Sequence, residues 1–540
     1  MIARRFLAGW AVLAVAAAAS SPAFARARTD VSPYLELNQI VVADIKGGSE
    51  DVLTYTSVAA GVDASVSTQR AEVGVNARYE HRFSWNGNVG DEDVLSGLVR
   101  GRVSLIQNVL NLEGGAIATR IRTDGFTGAN NALTGDVSST TQIYSGYVGP
   151  TLTTRVGDLG LNAAYRFGYT RIEDDFGFGV PGAPVPGGFD ESTSHNANFS
   201  AGMQPGPLPF GWAIGGGYNR EDANILDQRF EDKFLRGDVT VPVSPTVALL
   251  GGVGYEDVKI SQRGALVNNL GVPVLDGRGR LITDPASPRL LSYDTDGLIW
   301  DAGVLWRPSR RTSLEAHVGR RYGNMNYTGV FAWQPGRNTS VNITIYDSIE
   351  SFGRLLNGNL AGLSTDFNAV RNPFSGDINP CVTATTGGGQ CFNDALSAIS
   401  GSNFRRRGIA GQFTTRAGRT SWGVGAGYSR RTFIAPDGSI FAGVDRSHDQ
   451  NYYAQVFASR PIDPRSGIDG TVYANYYDSG INGGNTGFGD VLNLGANAGY
   501  YHDFGRRLRG SAAVGVDAID PQGIESIVSL LGQLGLRYQF

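Results

Sequence analysis

Lysine is nearly missing from this sequence: of 46 basic residues only Lys46, Lys233 and Lys259 are lysines. Charge of either sign is scarce, at 18 % of 540 residues against roughly 25 % in soluble domains. With 50 acidic residues the net charge is −4, so no basic face for nucleic acid is implied. Cysteine occurs twice and histidine five times, which excludes a disulfide-dense scaffold and offers no zinc-ligand spacing. Beyond residue 25 there is no apolar run long enough for a membrane-spanning helix. What is abundant is glycine, at 75 residues, about twice the usual share of roughly 7 %. Aromatic residues add a further 10 %. That balance suits a large β protein and does not suit an α/β enzyme.

Residues 1–25 read as an export signal. Arg4 and Arg5 give a positive start, Phe6 through Ala19 an apolar core, and Ala23-Phe24-Ala25 a small-x-small cleavage pattern. No lipoprotein cysteine follows. The expected domain plan is a signal peptide, 1–25, and one domain, 26–540, exported by a Gram-negative bacterium.

The mature chain alternates with a period of two. From 71 to 85 the odd positions are Ala71, Val73, Val75, Ala77, Tyr79, His81, Phe83 and Trp85; the even ones include Glu72, Asn76, Arg78, Glu80 and Arg82. Successive strand side chains point to opposite faces, so one face is greasy and the other charged. Leu492, Leu494, Ala496, Ala498 and Tyr500 repeat the pattern against Asn493, Gly495, Asn497 and Gly499, and Ile468, Val472 and Tyr476 against Asp469, Thr471, Tyr473 and Asn475.

A soluble sandwich would alternate too, but three features select a membrane barrel. Short connections near 67–70, 157–158, 205–209, 244–246, 308–311, 334–337, 463–466 and 505–507 alternate with long polar ones at 173–192, 261–292, 347–403 and 434–449. Outer-membrane barrels have short periplasmic turns and long outer loops. Aromatic residues gather near strand ends: Trp85, Trp306, Trp333, Trp422, Tyr452, Tyr453, Tyr500 and Tyr501. Such rings favour the boundary between hydrocarbon and headgroups. The chain also stops on Leu534, Leu536, Tyr538 and Phe540 at alternate positions, which resembles the C-terminal signal read by barrel-assembly machinery, Tyr538 and Phe540 being its key residues. The expected fold is therefore all-β: a large antiparallel transmembrane β-barrel of about 22 strands (range about 18–24), with short periplasmic turns and long extracellular loops. Strand limits are ambiguous between Leu98 and Ile121, where both faces are apolar.

A barrel of that width is not filled by its own side chains. TonB-dependent transporters have similar strand numbers but carry an N-terminal plug; here strand-like sequence starts about eight residues after the cleavage site. The expected obstruction is therefore 347–403, an extracellular or lumen-folded loop with two short helical stretches, 348–363 and 391–400. Both cysteines lie in it. In an oxidising compartment a Cys381–Cys391 disulfide is expected, rigidifying a lid or protecting an exposed loop.

No catalytic motif, metal set or cofactor fingerprint occurs, and no enzyme is expected. Function is placed on the lumen face. Parity assigns to it Arg78, Arg82, Arg100, Arg102, Arg166, Glu256, Glu315, Arg321, Asp469, Tyr473 and Asn475. Arginines and carboxylates facing across a lumen set up a transverse field, tolerable only where they are hydrated or paired, and Tyr and Asn suit sugars.

Phe404-Arg405-Arg406-Arg407, then Arg416-Ala417-Gly418-Arg419-Thr420 and Arg430-Arg431, resembles a recurring element of outer-membrane barrels associated with exopolysaccharide export and PEP-CTERM (exosortase) systems. The similarity covers mainly 404–540. It implies a conduit or partner in surface polysaccharide export, with polysaccharide and export-machinery proteins as partners beside outer-membrane lipid, lipopolysaccharide and the assembly machinery. A diffusion porin for small solutes or sugars, and a non-transporting structural barrel, are the alternative readings.

Overall fold

In hydrocarbon no water is available to pair with backbone groups, so alternating segments can cross only as strands of a closed ladder. The computed structural model describes residues 28–47, 52–85, 92–122, 140–173, 190–276, 280–384, 390–396, 400–439, 442, 445–480, 490–523 and 525–540. The expected signal peptide lies outside the described residues. Twenty-two strands form one antiparallel sheet, each paired with its sequence neighbour. The first, Arg28–Lys46, pairs with the last, Ile527–Gln539, from Tyr34↔Gln539 to Lys46↔Val528. The sheet is thereby closed into an antiparallel barrel, the form in which strands cross an outer membrane.

The short connections share one end of the barrel. The turns between Val156 and Leu159 and between Ala417 and Thr420 each have two residues, opening on Gly157 and Gly418 in the left-handed region (φ +62° for each). The first strand begins and the last strand ends at this same, periplasmic, end. The opposite end carries the long segments, together with short ones such as 224–227 and 322–323.

The outer face is apolar across its middle: Val514 is 66 % and Leu534 67 % exposed. Trp306, Trp333, Trp422, Tyr500 and Tyr538 mark its periplasmic rim, and Tyr255, Tyr428, Tyr452 and Tyr476 its outer rim. Tyr255 donates to Asp296 (2.7 Å) and Tyr476 to Asp490 (2.9 Å), so each outer ring keeps its hydroxyl at the polar boundary. Two residues expected in this belt are elsewhere: Tyr453 is buried, and Tyr501 faces an inner recess beneath Arg509. Parity explains both, since each follows an outward tyrosine by one position.

Residues 351–402 enter the lumen. They hold helix α1 (Phe352–Gly362), a three-stranded sheet built of Phe367–Asn368, Cys381–Ala384 and Gln390–Cys391, and helix α2 (Asn393–Leu396). The first expected helix is thus four residues shorter at its start, because Ser351 caps it by accepting from Arg354 N–H (3.2 Å). The second is a single turn, and 397–399 lie outside the described residues.

The lipid-facing assignment predicts that Leu534→Arg destabilises the barrel by about 2–4 kcal/mol, the depth-dependent cost of a midplane charge. Val330→Arg, on the lumen face, should change stability by less than about 1 kcal/mol. Unfolding in guanidinium from phosphatidylcholine vesicles reads both.

Candidate functional site

Why a polar chain should pack inside a barrel is answered by the wall. Leu98, Ile117, Ile121, Ile143 and Ile172 point inward near the outer mouth, where they form one apolar cluster with Phe352, Leu355, Leu356 and Leu360 of α1 and with Ile378, Val382, Phe392, Leu396 and Phe404. Fully burying one such side chain contributes about 1.5–3 kcal/mol, so the cluster anchors the segment firmly. The double-sided apolar stretch from Leu98 to Ile121 is thereby accounted for: one face meets lipid and the other meets α1.

Polar contacts fix the register. Ser351 donates to Glu221, and Asn357 accepts from Ser145 (3.1 Å). Gly168 leaves room for the Asn357 side chain, whose Nδ2 would lie 2.6 Å from an added Cβ. The Arg354 guanidinium lies over the Phe230 ring, 3.8 Å from its centroid. Further along, Arg371 inserts between strands, donating to Ser96 Oγ (2.5 Å), Asn76 Oδ1 (2.5 Å) and the Gly376 carbonyl (2.7 Å). Arg120 donates to Asp377 Oδ2 (2.6 Å), and Tyr55 to the Phe374 carbonyl (2.8 Å).

The expected lumen residues fall into three places. Arg78, Arg82 and Arg100 sit together under the segment. Arg78 pairs with Glu80 and, at 3.0 Å, with Glu36; Arg82 reaches Glu80 (2.9 Å) and the Ser375 carbonyl (2.7 Å); Arg100 reaches Glu113 (3.1 Å) and the Leu363 carbonyl (3.1 Å). Desolvated guanidinium groups require partners, and each has one. Arg102 is half exposed, 3.8 Å from Glu113, and Arg166 lies 5.9 Å from the Tyr147 ring. On the opposite wall Arg321 pairs with Glu256 (2.5 Å), and His317 lies between Asp301 (2.8 Å) and Glu315 (3.1 Å). In the third place Tyr473 donates to Asp517 (2.6 Å) beside buried Asn475, and Asp469 borders a recess.

Sequence parity did not single out Arg120, Arg371 or the pairs Arg406–Asp394 and Arg431–Asp449. For Arg120 and Arg406 the signal that could have found them is the carboxylates within 347–403, which include Asp377 and Asp394. The arginines of the Phe404–Arg407 motif act in this way. Arg406 holds Asp394 of α2, whereas Arg405 (2.7 Å) and Arg407 (3.0 Å) hold Asp347.

Cys381 and Cys391 form a disulfide that pairs the ends of a small hairpin. It lies against the wall at Gly425, where a Cβ would come 3.1 Å from Cys381 Sγ and 3.2 Å from Cys391 Sγ. Cys381 is buried, so the bond braces the lumen segment and does not shield an exposed loop.

Among the described residues, recesses border the lumen at two places. The larger, about 1110 Å³, lies in the periplasmic half between the wall and the underside of the segment, bordered by Tyr34, Glu36, Asp63, Arg78, Arg371 and Arg537. The smaller, about 470 Å³, follows the opposite wall past Arg236, Asp301, Glu315, His317 and Arg321.

Arg371→Met should loosen the segment and leave the barrel intact. Removing its charge-assisted bonds, worth roughly 1.5–3 kcal/mol, should speed amide hydrogen exchange at 371–379 at least about tenfold. Exchange in the strand Val491–Asp503 should not change, as mass spectrometry of peptic fragments would report.

No family model matches the sequence, and no curated protein matches it. Solved structures of similar fold include the ferric-catecholate import receptor Fiu from E. coli K12 (10 % identity, TM-score 0.44, covering 94 % of this chain and 81 % of that one). The FrpB iron transporter from Neisseria meningitidis (12 %, 0.46, 94 % and 81 %) and the alcaligin outer-membrane receptor FauA from Bordetella pertussis (12 %, 0.39, 94 % and 76 %) are others. The likeness is one of fold. The expected membership of the exopolysaccharide-associated group, and with it the conduit for polysaccharide export and the diffusion porin, is corrected: the similar structures are import receptors and transporters, and the lumen holds a packed, ion-paired segment.

Proposed function

We propose that the protein takes up a ligand across the outer membrane through a barrel gated by its own segment 351–402. The observation that carries this reading is how the segment is held. It has an apolar anchor at the outer mouth and arginine contacts to single carbonyls and carboxylates below it. None of the sheet's 22 strands comes from the segment, so it can move without breaking the barrel ladder. Spontaneous departure is rare, because each large apolar side chain withdrawn from the cluster costs about 1.5–3 kcal/mol. Opening therefore needs a ligand that binds the displaced state more tightly, which separates selective uptake from free diffusion. The larger recess, with tyrosine and both signs of charge on its wall, is where a passing polar ligand would next be met.

Purified protein in planar bilayers should be nearly non-conducting. Replacing 352–402 by a short Gly-Ser linker should raise single-channel conductance by roughly tenfold or more, as expected for a wide unfilled barrel. A wild-type conductance equal to that of the deletion variant would overturn the gated reading.

A further inference from the structure

The barrel wall has a seam. The hairpin made by strands Thr312–Arg321 and Asn324–Gly336 turns at 322–323, while its neighbours Leu290–Ser309 and Thr339–Glu350 continue outward beyond it. Pairing between the hairpin and Thr339–Glu350 runs from Gly336↔Thr339 to Gly329↔Ile345 and stops there. Residues 324–328 therefore face 346–350 without a main-chain ladder, an edge of five residues, or roughly 17 Å at about 3.4 Å per residue. Trp333 marks the periplasmic rim. A crossing takes about 9–11 residues, so the seam lies at the depth of the outer leaflet.

Side chains close it where backbone does not. Arg405 and Arg407 each donate to the Met325 carbonyl (3.0 Å), and both also bind Asp347. Asn326 donates to the Asp347 carbonyl (2.9 Å). A closure of this kind can part and re-form with no strand unfolding. Behind it, beside the polar recess that Asn326, Asp347 and Arg321 line, Ile349 and Tyr322 pack with Phe230, Val258 and Ile260 in a buried apolar cluster roofed by Arg354. A polar ligand entering along the barrel axis has no use for an apolar wall behind a lateral break. A molecule with an apolar tail does. Arg407, half exposed at the seam, supplies a cation for the head of such a molecule.

We propose that this seam is a lateral portal through which an anionic amphiphile, a molecule with an acyl-like tail and a phosphate or carboxylate head, passes between the outer leaflet and the lumen. The tail would slide past Tyr322 onto Phe230, Val258 and Ile260, and the head would exchange Asp347 for itself on Arg405 and Arg407. The tail must displace Arg354, which covers Phe230, but the segment need not leave the lumen, and the test leaves the sequence of 351–402 unchanged.

The experiment uses the full-length protein in vesicles containing phosphatidic acid with a diazirine in its acyl chain, and maps photoadducts by mass spectrometry. A second sample carries Asn326→Cys and Ser348→Cys, joined across the seam after assembly by a short bis-maleimide. Adducts on Phe230, Val258 and Ile260 should form in the open protein and fall at least tenfold in the cross-linked one. Adducts on outward Leu235 and Val253 should stay the same in both and so report correct insertion. Arg405→Gln with Arg407→Gln should abolish any preference for phosphatidic acid over a phosphatidylcholine probe in labelling the inner positions. Inner adducts that are absent from the open protein, or equal with and without the cross-link, would overturn the portal. Equal inner labelling by both lipids in the wild type would overturn the anionic head.

Discussion

A backbone group left unpaired in hydrocarbon costs several kcal/mol, and this constraint sets everything else in the molecule. It is met by the pairing of the first strand, Arg28–Lys46, with the last, Ile527–Gln539, which closes the sheet, the seam at 324–328 excepted. Once 22 strands are closed, diameter follows from number, and the inward side chains no longer meet across the middle. An interior of that width must hold water or another part of the chain. Here it holds residues 351–402, which supply the partners that the inner wall lacks.

Those partners are of two kinds, and the division is physical. Isoleucine and leucine on the inner wall near the outer mouth demand apolar cover, which α1 provides. Arginines on the strands Ala71–Ser84, Glu92–Ile106 and Leu110–Arg122 demand carboxylates and carbonyls, which Leu363, Ser375 and Asp377 provide. A buried pair of this sort is weak evidence for net stability, because desolvation offsets much of the attraction. It is strong evidence for register, since removing one partner strands the other. The segment is thus fixed in position by ions and held in place by grease, a combination that suits a part meant to move as a unit.

The barrel was legible because its signal is one of simple parity. Val73, Val75 and Tyr79 against Glu72, Arg78 and Glu80 can be read as strand from residue types alone, and about 22 such segments were countable. The lumen residues were legible as a face and illegible as a site. Parity places Arg78 and Arg82 inside, but nothing in their neighbourhood says that Ser375, some 290 positions away, covers one of them. The same blindness affects Leu98 to Ile121. An inner face that turns apolar is a docking surface for another part of the chain, yet in sequence it only blurs the strand limits. The exopolysaccharide resemblance failed for a related reason: Arg405, Arg406 and Arg407 serve Asp347 and Asp394 within this barrel, so a run of arginines at a strand start reports local ion pairing, not family. The seam was invisible for want of a pattern, since 324–328 alternates like any strand and only its partner is missing.

The central claim is that 351–402 is packed inside the barrel with its underside turned to the periplasm. Thr365, which donates to Glu72 (3.0 Å) beside the larger recess, tests it directly. Thr365→Cys should resist a membrane-impermeant maleimide added to intact cells and react once the periplasm is opened. Leu270→Cys, on an exposed outer connection, should react in intact cells from the start. If Thr365→Cys is labelled on intact cells as fast as Leu270→Cys, the segment lies outside the barrel and the account is wrong.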